Sequence, residues 1–479
     1  MANRAAECVE VRALREGQIE EIHSAALRVL SDVGVDVADG SIRDLLVQHG
    51  ARAEGRRVRF DAGMVEEALE TAPARFSLHA RGDHPPLDLG AGEVHLGTGG
   101  AAIRVLDTEH GGFRPSTLRD LGDLAWLVEN LENIHFFLRP VIAQDVPKEE
   151  LDENTLFACL ANTQKHVTLA ASSPESVDRV VQMASLLAGG QEEFRQRPFV
   201  SLTCSWMVSP LRVDTNVANV LRRAVEHGLP VALSSAPMAA STAPASLAGL
   251  LTQVHAEELS GVVLSQLFRP GAPVLYGPVP AAVSFRTMAY LGGAVESGLM
   301  NAAAVQLARR IGLPIYSDAG LTEAKGADVQ AGYEKAANVM LVALAGGDFV
   351  HHAAGMLDSM LGVSYEQYVV DNDICGMALR AREGIRVDEE TVAEELIAKV
   401  GPGGNFLSQL HTVKMSRSDE YFRPRTAVRD SLSVWETKGR VDARQGAQRI
   451  ASEILGRERP RFIPEDVERR IRDEYRIRL

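Results

Sequence analysis

Four cysteines in 479 residues, Cys8, Cys159, Cys204 and Cys375, stand without paired spacing. They offer neither a disulfide framework nor a zinc ribbon. Positive charge is also short: 50 lysines and arginines face 64 acidic residues, for a net charge of −14. A general nucleic-acid binder needs a basic face, so that class of partner is excluded. No apolar run reaches the roughly 18 residues of a membrane span, and Met1 to Glu10 lack the apolar centre of a signal peptide. A soluble, reducing, cytoplasmic setting with no membrane partner is the expectation. Missing too are a Gly-x-Ser-x-Gly elbow, a phosphate loop of Gly, Lys and Ser, and a three-residue set of His and carboxylate at metal-ligand spacing. His351 and His352 are adjacent, and strand alternation sends adjacent side chains to opposite faces. At most one of them should reach a common site, and no metal is expected.

What is present is a rhythm. Leu313-Pro-Ile-Tyr-Ser317 reads as a strand, Asp318-Ala-Gly320 breaks it, and Gln330 to Ala345 carries apolar residues at helical spacing up to Gly346-Gly347. Phe349-Val-His-His-Ala353 then starts a second strand. Two strands joined by one helix in so short a span are parallel neighbours. The runs His135–Arg139, His166–Ala170, Phe199–Cys204, Pro230–Ser235 and Ala272–Gly277 repeat the pattern, with starts roughly 30 to 42 residues apart. These seven strands predict an α/β fold, a (β/α)8 TIM-type barrel over residues 131–400 whose eighth strand is unmarked. An open doubly wound sheet is the rival.

Residues 1–130 read as an N-terminal mixed region. It has an amphipathic helix over Gln18–Val33 stopped by Gly34, a helix over Ser41–His49, and Glu93–Leu96 and Ala102–Leu106 flanking Gly97-Thr-Gly-Gly100 like a hairpin. That glycine cluster is no phosphate loop, because no helix start follows it. Val387 to Val400 looks helical. Residues 401–479 read as C-terminal capping helices, where Val467, Ile471 and Tyr475 stripe a capping or dimer helix; a homo-oligomer is expected.

In a parallel barrel the strand C-termini and the loops after them form the active face. Those points carry Arg139 and Asp145, Ser172 and Ser173, Trp206, Ser234 and Ser235, Tyr276, Phe285 and Arg286, Tyr316 and Asp318, Glu323 and Lys325, and His351 with His352. Glu257 and Glu258 sit together in a helical stretch. Each has a plainer reading: Trp206 and Tyr276 as packing, a strand-end histidine as a satisfied structural one, and one of the two glutamates as buried and paired. As a set they make an aromatic and acidic mouth. Ring faces attract a quaternary ammonium by about 0.5 to 2 kcal/mol each, and a nearby carboxylate adds charge complementarity. The expected substrate-binding residues are Trp206, Tyr276, Tyr316, Phe285, Arg139, Arg286 and Glu257. His351, His352, Asp318 and Glu323 are the expected catalytic ones, acting by orienting or hydrogen-bonding.

Several phrases together resemble one family. They are Glu21 through Gly34, Thr71-Ala-Pro73, Asn162-Thr-Gln-Lys165, Ser209-Pro-Leu211, His255-Ala-Glu257, Pro314 through Lys325, Gly332-Tyr-Glu334 and Gly401-Pro-Gly-Gly-Asn-Phe406. In order and spacing, over residues 18 to 460, the chain resembles the trimethylamine methyltransferase family. The resemblance implies a (β/α) barrel that passes a methyl group from a methylated amine to the Co(I) of a separate corrinoid protein. The corrinoid (cobalamin) would be carried by that cognate partner, with no tightly bound cofactor in this chain. Founding members carry pyrrolysine and act on trimethylamine; this sequence has none, and so is similar to the branch that demethylates quaternary amines such as glycine betaine. A quaternary nitrogen leaves as a neutral amine without protonation, so the protein's work is positioning and exclusion of water. The alternatives are a non-catalytic quaternary-amine binder, or an unrelated barrel lyase or aldolase using Lys325 or another lysine as a Schiff-base amine.

Overall fold

The computed structural model describes residues 8–107 and 111–479; of the N-terminal stretch discussed above, residues 1–7 lie outside it. Eight short strands recur along the chain: β1 (His95–Leu96), β2 (Phe136–Leu138), β3 (His166–Leu169), β4 (Val200–Cys204), β5 (Val231–Leu233), β6 (Val274–Leu275), β7 (Tyr316–Asp318) and β8 (Phe349–His351). Each precedes a long helix: α1 (Leu118–Glu129), α2 (Leu151–Asn162), α3 (Pro174–Ala188), α4 (Thr215–His227), α5 (Leu247–Phe268), α6 (Val295–Ile311), α7 (Val329–Ala345) and α8 (Tyr365–Arg382). Six of the seven runs read from the sequence contain a strand, and the seventh, Leu313–Ser317, overlaps β7, which continues to Asp318 where a break was expected. The repeated words His227-Gly-Leu-Pro230 and Ile311-Gly-Leu-Pro314 are a helix end, a left-handed glycine at φ 81° and 71°, and a strand start. Glycine is needed there because a Cβ is strained at positive φ.

The pairing is parallel throughout. β2 to β6 pair in sequence order, β7 pairs with β8, and β8 pairs with β1. Single bridges, Tyr276 to Ile315 and Gly97 to Phe136, join β6 to β7 and β1 to β2. The pairing thus runs from β1 to β8 and returns to β1. β1 comes from the N-terminal region, where a hairpin was expected. That hairpin is absent: β1 pairs with β8, whereas Arg104–Leu106 pairs with Gly362–Val363 and Phe113–Pro115. The glycines between them serve close packing instead of a tight turn, since a Cβ at Gly97 would come within 2.3 Å of the Phe136 ring.

Alternate strand residues enter two apolar layers. Phe136, Leu138, Ala232, Leu275, Tyr316 and Phe349 share an inner cluster with Leu78, Leu87 and Leu89. Phe137, Val167, Leu202, Val231, Val274, Tyr276 and Val350 pack outward with the helices. The antiparallel pair Phe76–Leu78 and Leu87–Leu89 crosses the strand N-termini. Its flanks bond to residues just ahead of β3, β4 and β8: Arg81 N–H donates to the Gln164 carbonyl, His79 N–H to that of Pro198, and Gly90 N–H to the Asp348 carboxylate. That end is therefore covered, and the long loops lie at the other.

The amphipathic N-terminal helix is Glu16–Arg28, prolonged by a wider π turn over Val29–Val33 that stops at Gly34. The helix expected over Val387–Val400 is two short ones, Glu389–Val392 and Glu394–Val400, interrupted at Ala393 with φ 50°. The tail helix is Glu465–Glu474, anchored by fully buried Ile471. Among the described residues no helix is long and apolar enough to cross a membrane.

One buried ion pair ties the last two units together. Lys335 of α7 and Asp371 of α8 are both fully buried, 3.2 Å apart. The ammonium also donates to the Gly320 and Met356 carbonyls, and the carboxylate accepts from Gly355 N–H and the Gln367 amide. The loops after β7 and β8 thus hang on one pair. Removing one partner strands the other charge, so Lys335→Met should cost about 3 to 5 kcal/mol, and Lys335→Met with Asp371→Leu should recover part of it; urea midpoints of the three proteins check this.

Burial holds four histidines neutral, pushing His95 and His166 down to about 4 and His135 and His255 to about 3. Unfolded, they titrate near 6.5 and take up protons the folded chain refuses, so their stabilisation is full above pH 6.5 and is lost as pH falls towards 3. Melting temperature should therefore drop steeply between pH 6.5 and 4, and calorimetry at stepped pH should record net proton uptake on unfolding.

Candidate active site

β7 and β8 end side by side, with Asp318 in register with His351. Two residues before Asp318 on the same face, Tyr316 lays its ring flat on the His351 imidazole, centroids 3.9 Å apart and planes 6° apart. Below them Phe349 stacks on Phe136. The inner layer therefore changes from aromatic to polar at the strand C-termini.

Strand alternation fails one residue later. His352 has φ 61°, so the chain leaves the extended conformation as soon as β8 ends. Its ring turns back to lie 4.1 Å from that of His351, and its Nδ1 is 2.7 Å from the Asp318 carboxylate. Both histidines therefore join one group, which corrects the expectation that only one could. One ligand atom each from Asp318, His351 and His352 lie within 4.8 Å of one another, and all three residues are buried. This is a His and carboxylate set that the spacing of the sequence had excluded. Burial first, and then His352, hold the His351 pKa well below its ordinary value. Neither ring nitrogen of His351 has a hydrogen-bond partner among the described residues.

Glu323 stands in the loop after β7, half-buried, accepting from Gly293 N–H at 3.0 Å. Burial, partly offset by that bond, and the neighbouring Glu334 carboxylate raise its pKa. Glu334 of α7 in turn accepts from the Thr322 hydroxyl and from Glu323 N–H. Tyr290 lies near both acids: burial and the charges of Asp318 and Glu323 push its phenol well above the usual range. Tyr290 was missed in the sequence, and Glu334 stood there only in the phrase Gly332-Tyr-Glu334, not as a site residue. Tyr290 sits in a two-residue strand paired with Ala282–Val283, too short for any alternation to register.

The other candidates lie elsewhere. Trp206 is fully buried against α5, where a Cβ on Gly261 would come within 2.5 Å of its ring. Tyr276 points to the same helix and meets His255 at 2.8 Å, and His255 meets His23 at 2.9 Å. Only Tyr316 of the three rings belongs to the inner layer. Glu257 is spent on protein donors: the Ser209 and Ser235 hydroxyls, Leu211 N–H and the Gln253 amide. Glu258 accepts from Ser235 N–H and Gly277 N–H, and burial pushes its pKa up to about 8. Glu257 ties α5 to the loop after β4 and the end of β5, and Glu258 ties it to the ends of β5 and β6. Arg139 follows β2, its Nε buried without a partner among the described residues, near Cys159 and Asp152. Phe285, 72% exposed, and Arg286 form the tip of the short pair after β6. Asp145 and Ser173 cap α1 and α3, and Ser172 bonds Asp152. Lys325 is exposed and paired with Asp358 at 2.8 Å, so it lacks the desolvation that activates a Schiff-base amine.

Comparison with known proteins agrees over the whole length. Residues 3–478 match the description of trimethylamine methyltransferase (MTTB). The glycine betaine methyltransferase of Desulfitobacterium hafniense (strain Y51) is 34% identical over 438 residues, covering 90% of this chain and 91% of that protein. The trimethylamine methyltransferase MttB of Methanosarcina barkeri is 34% identical over 455 residues, covering 93% and 91%. Among solved structures, the monomethylamine methyltransferase (MtmB) of Methanosarcina barkeri superposes with a TM-score of 0.50 over 92% of each chain at 13% identity, a likeness of mixed α/β fold alone. By extent and identity of these matches, the chain belongs to the trimethylamine methyltransferase family.

Proposed function

We propose that this enzyme removes a methyl group from a quaternary amine of the glycine betaine kind and passes it to the cobalt of a separate corrinoid protein. The observation that carries this reading is the group at the ends of β7 and β8: an aromatic ring, a neutral imidazole and acidic side chains, with no activated nucleophile of the chain's own. Such a lining suits a ligand that is already cationic and needs no proton from the protein. The relative named a glycine betaine methyltransferase supports the substrate class. The (β/α)8 TIM-type barrel is part of the proposal, supported by the parallel pairings that return from β8 to β1. So is a division into an N-terminal region (1–130) that lends β1, a catalytic region (131–400) and C-terminal helices (401–479).

The rim at this end fits a corrinoid brought by a partner, because Phe285 and Met288 on the short pair after β6 leave apolar surface exposed. When bound there, the corrinoid would supply the nucleophilic cobalt. The chain's own residues would bind and orient. Tyr316 and Tyr290 would present aromatic surface to the ammonium, Asp318 and Glu323 negative charge, and His351 and His352 hydrogen bonds to the substrate's polar end. Covering the opposite end with Leu78, Leu87 and Leu89 keeps water out from below. Arg139, Arg286, Phe285, Trp206, Tyr276 and Glu257 would then act at the rim or through packing.

The test is incubation with reduced corrinoid protein and a panel of betaine, carnitine and choline, following loss of the Co(I) absorbance. Turnover of one of them is expected; reaction with none, and with trimethylamine instead, would overturn the substrate class. Tyr316→Leu should weaken ammonium binding by about 0.5 to 2 kcal/mol, or roughly 2- to 30-fold in Kd. Trp206→Leu should lower melting temperature and leave Kd alone; equilibrium dialysis and thermal scans separate the two. His351→Gln should lose turnover with an unchanged melting temperature.

A further inference from the structure

We infer that Asp318, His351 and His352 form a binding site for one divalent transition-metal ion, with zinc the ion of first choice. The donor set is two imidazoles and one carboxylate, the combination that holds such ions with a coordination position left open. A tetrahedral ion with bonds of about 2.1 Å places its donors about 3.4 Å apart. That spacing lies between the 2.7 Å separation of Asp318 and His352 and the 4.8 Å that bounds all three. The three donors therefore already stand within reach of one ion.

Two further observations point to a ligand. His351 is 2% exposed and neither ring nitrogen has a partner among the described residues, a costly arrangement for a buried polar ring in which one nitrogen carries a proton and the other a lone pair. The surrounding structure also fixes the donors. Tyr316 stacking sets the plane of His351, Asn301 accepts from the backbone N–H of Asp318, and the left-handed φ of His352 turns the second ring towards the first. Non-glycine residues at positive φ cluster at functional sites, because the strain persists only where the surroundings enforce it. The sequence expectation of no metal rested on strand alternation, which this residue breaks.

The site stands independently of the methyl-transfer reading. Resting on that reading, a further consequence is that the open position takes the carboxylate of a zwitterionic substrate. The ammonium would then be directed away from the ion, towards Tyr290 and Glu323.

The experiment is titration of chelator-treated protein with Co(II), read by visible d–d absorption and by equilibrium dialysis, then competition with Zn(II). One equivalent of Co(II) with bands of a four- or five-coordinate ion, displaced by Zn(II), is expected. Uptake should fall at least tenfold in affinity in each of His351→Gln, His352→Gln and Asp318→Asn. Circular dichroism spectra and melting temperatures that match the parent's in these variants guard against reading loss of fold as loss of the site. No stoichiometric uptake, or equal uptake by the three site variants, overturns the proposal. Demethylation assays on the same metal-free and reloaded samples keep the two readings apart. Stoichiometric Co(II) binding without turnover of any quaternary amine counts for the site and against the function; turnover without Co(II) or Zn(II) uptake counts the other way.

Discussion

The return of the parallel pairing from β8 to β1 is the constraint on which the site depends. β1 supplies only His95 and Leu96, yet through them β8 gains its second neighbour. Parallel strands joined by helical crossovers carry all their C-termini to one end. Asp318 and His351 can therefore meet in register although 33 residues separate them in β7 and β8. The closeness of this contact shows in Gly97 and Gly99, where a Cβ would strike the Phe136 ring and the His352 ring. A larger residue at either would push β1 away from the strands it seals.

Buried polar groups differ in how fully they are bonded, and the most fully bonded of them belong to the scaffold. Glu257, Glu258, Lys165, Lys335 and Asp371 are buried and each is held by several partners: Lys165, for example, donates to the Val128, Leu131 and Ile134 carbonyls at the end of α1. Groups so committed have little left to offer a ligand, and their loss costs stability. His351 is buried as deeply and bonded to nothing among the described residues. Among the described residues, single unbonded atoms occur in the scaffold too, at the Trp206 indole and the Tyr368 hydroxyl, so what sets His351 apart is that both its ring nitrogens are unbonded beside Asp318 and His352.

The same contrast explains which candidates were legible. The ends of β7 and β8 were marked by Tyr316, Asp318, Glu323, His351 and His352, and these residues do converge. Trp206 and Tyr276 also stand at strand ends, but both face α5. Whether a strand-end ring points inward depends on one residue of register, and runs of only two or three paired residues leave that register unmarked. Glu257 looked available because its partners lie far from it in the chain: Ser209 and Leu211 in the βα unit before its own, and Ser235 at the end of β5.

Local chemistry decided what the sequence by itself could determine: seven strands, the helices between them, their glycine stops, and the absence of a membrane-length run. Apolar periodicity and turn residues act over a few positions, so they can be read from the chain. The order of the phrases likewise carried the family. Only the tertiary structure decided the eighth strand, because two residues have no periodicity and β1 is defined by its partner. It also decided that both histidines join Asp318. The φ of 61° at His352 is imposed on a residue that would otherwise continue the strand, by the packing of Gly99, Asp318 and His351 around it. Such a conformation is held by its surroundings and has no signature in the residue itself.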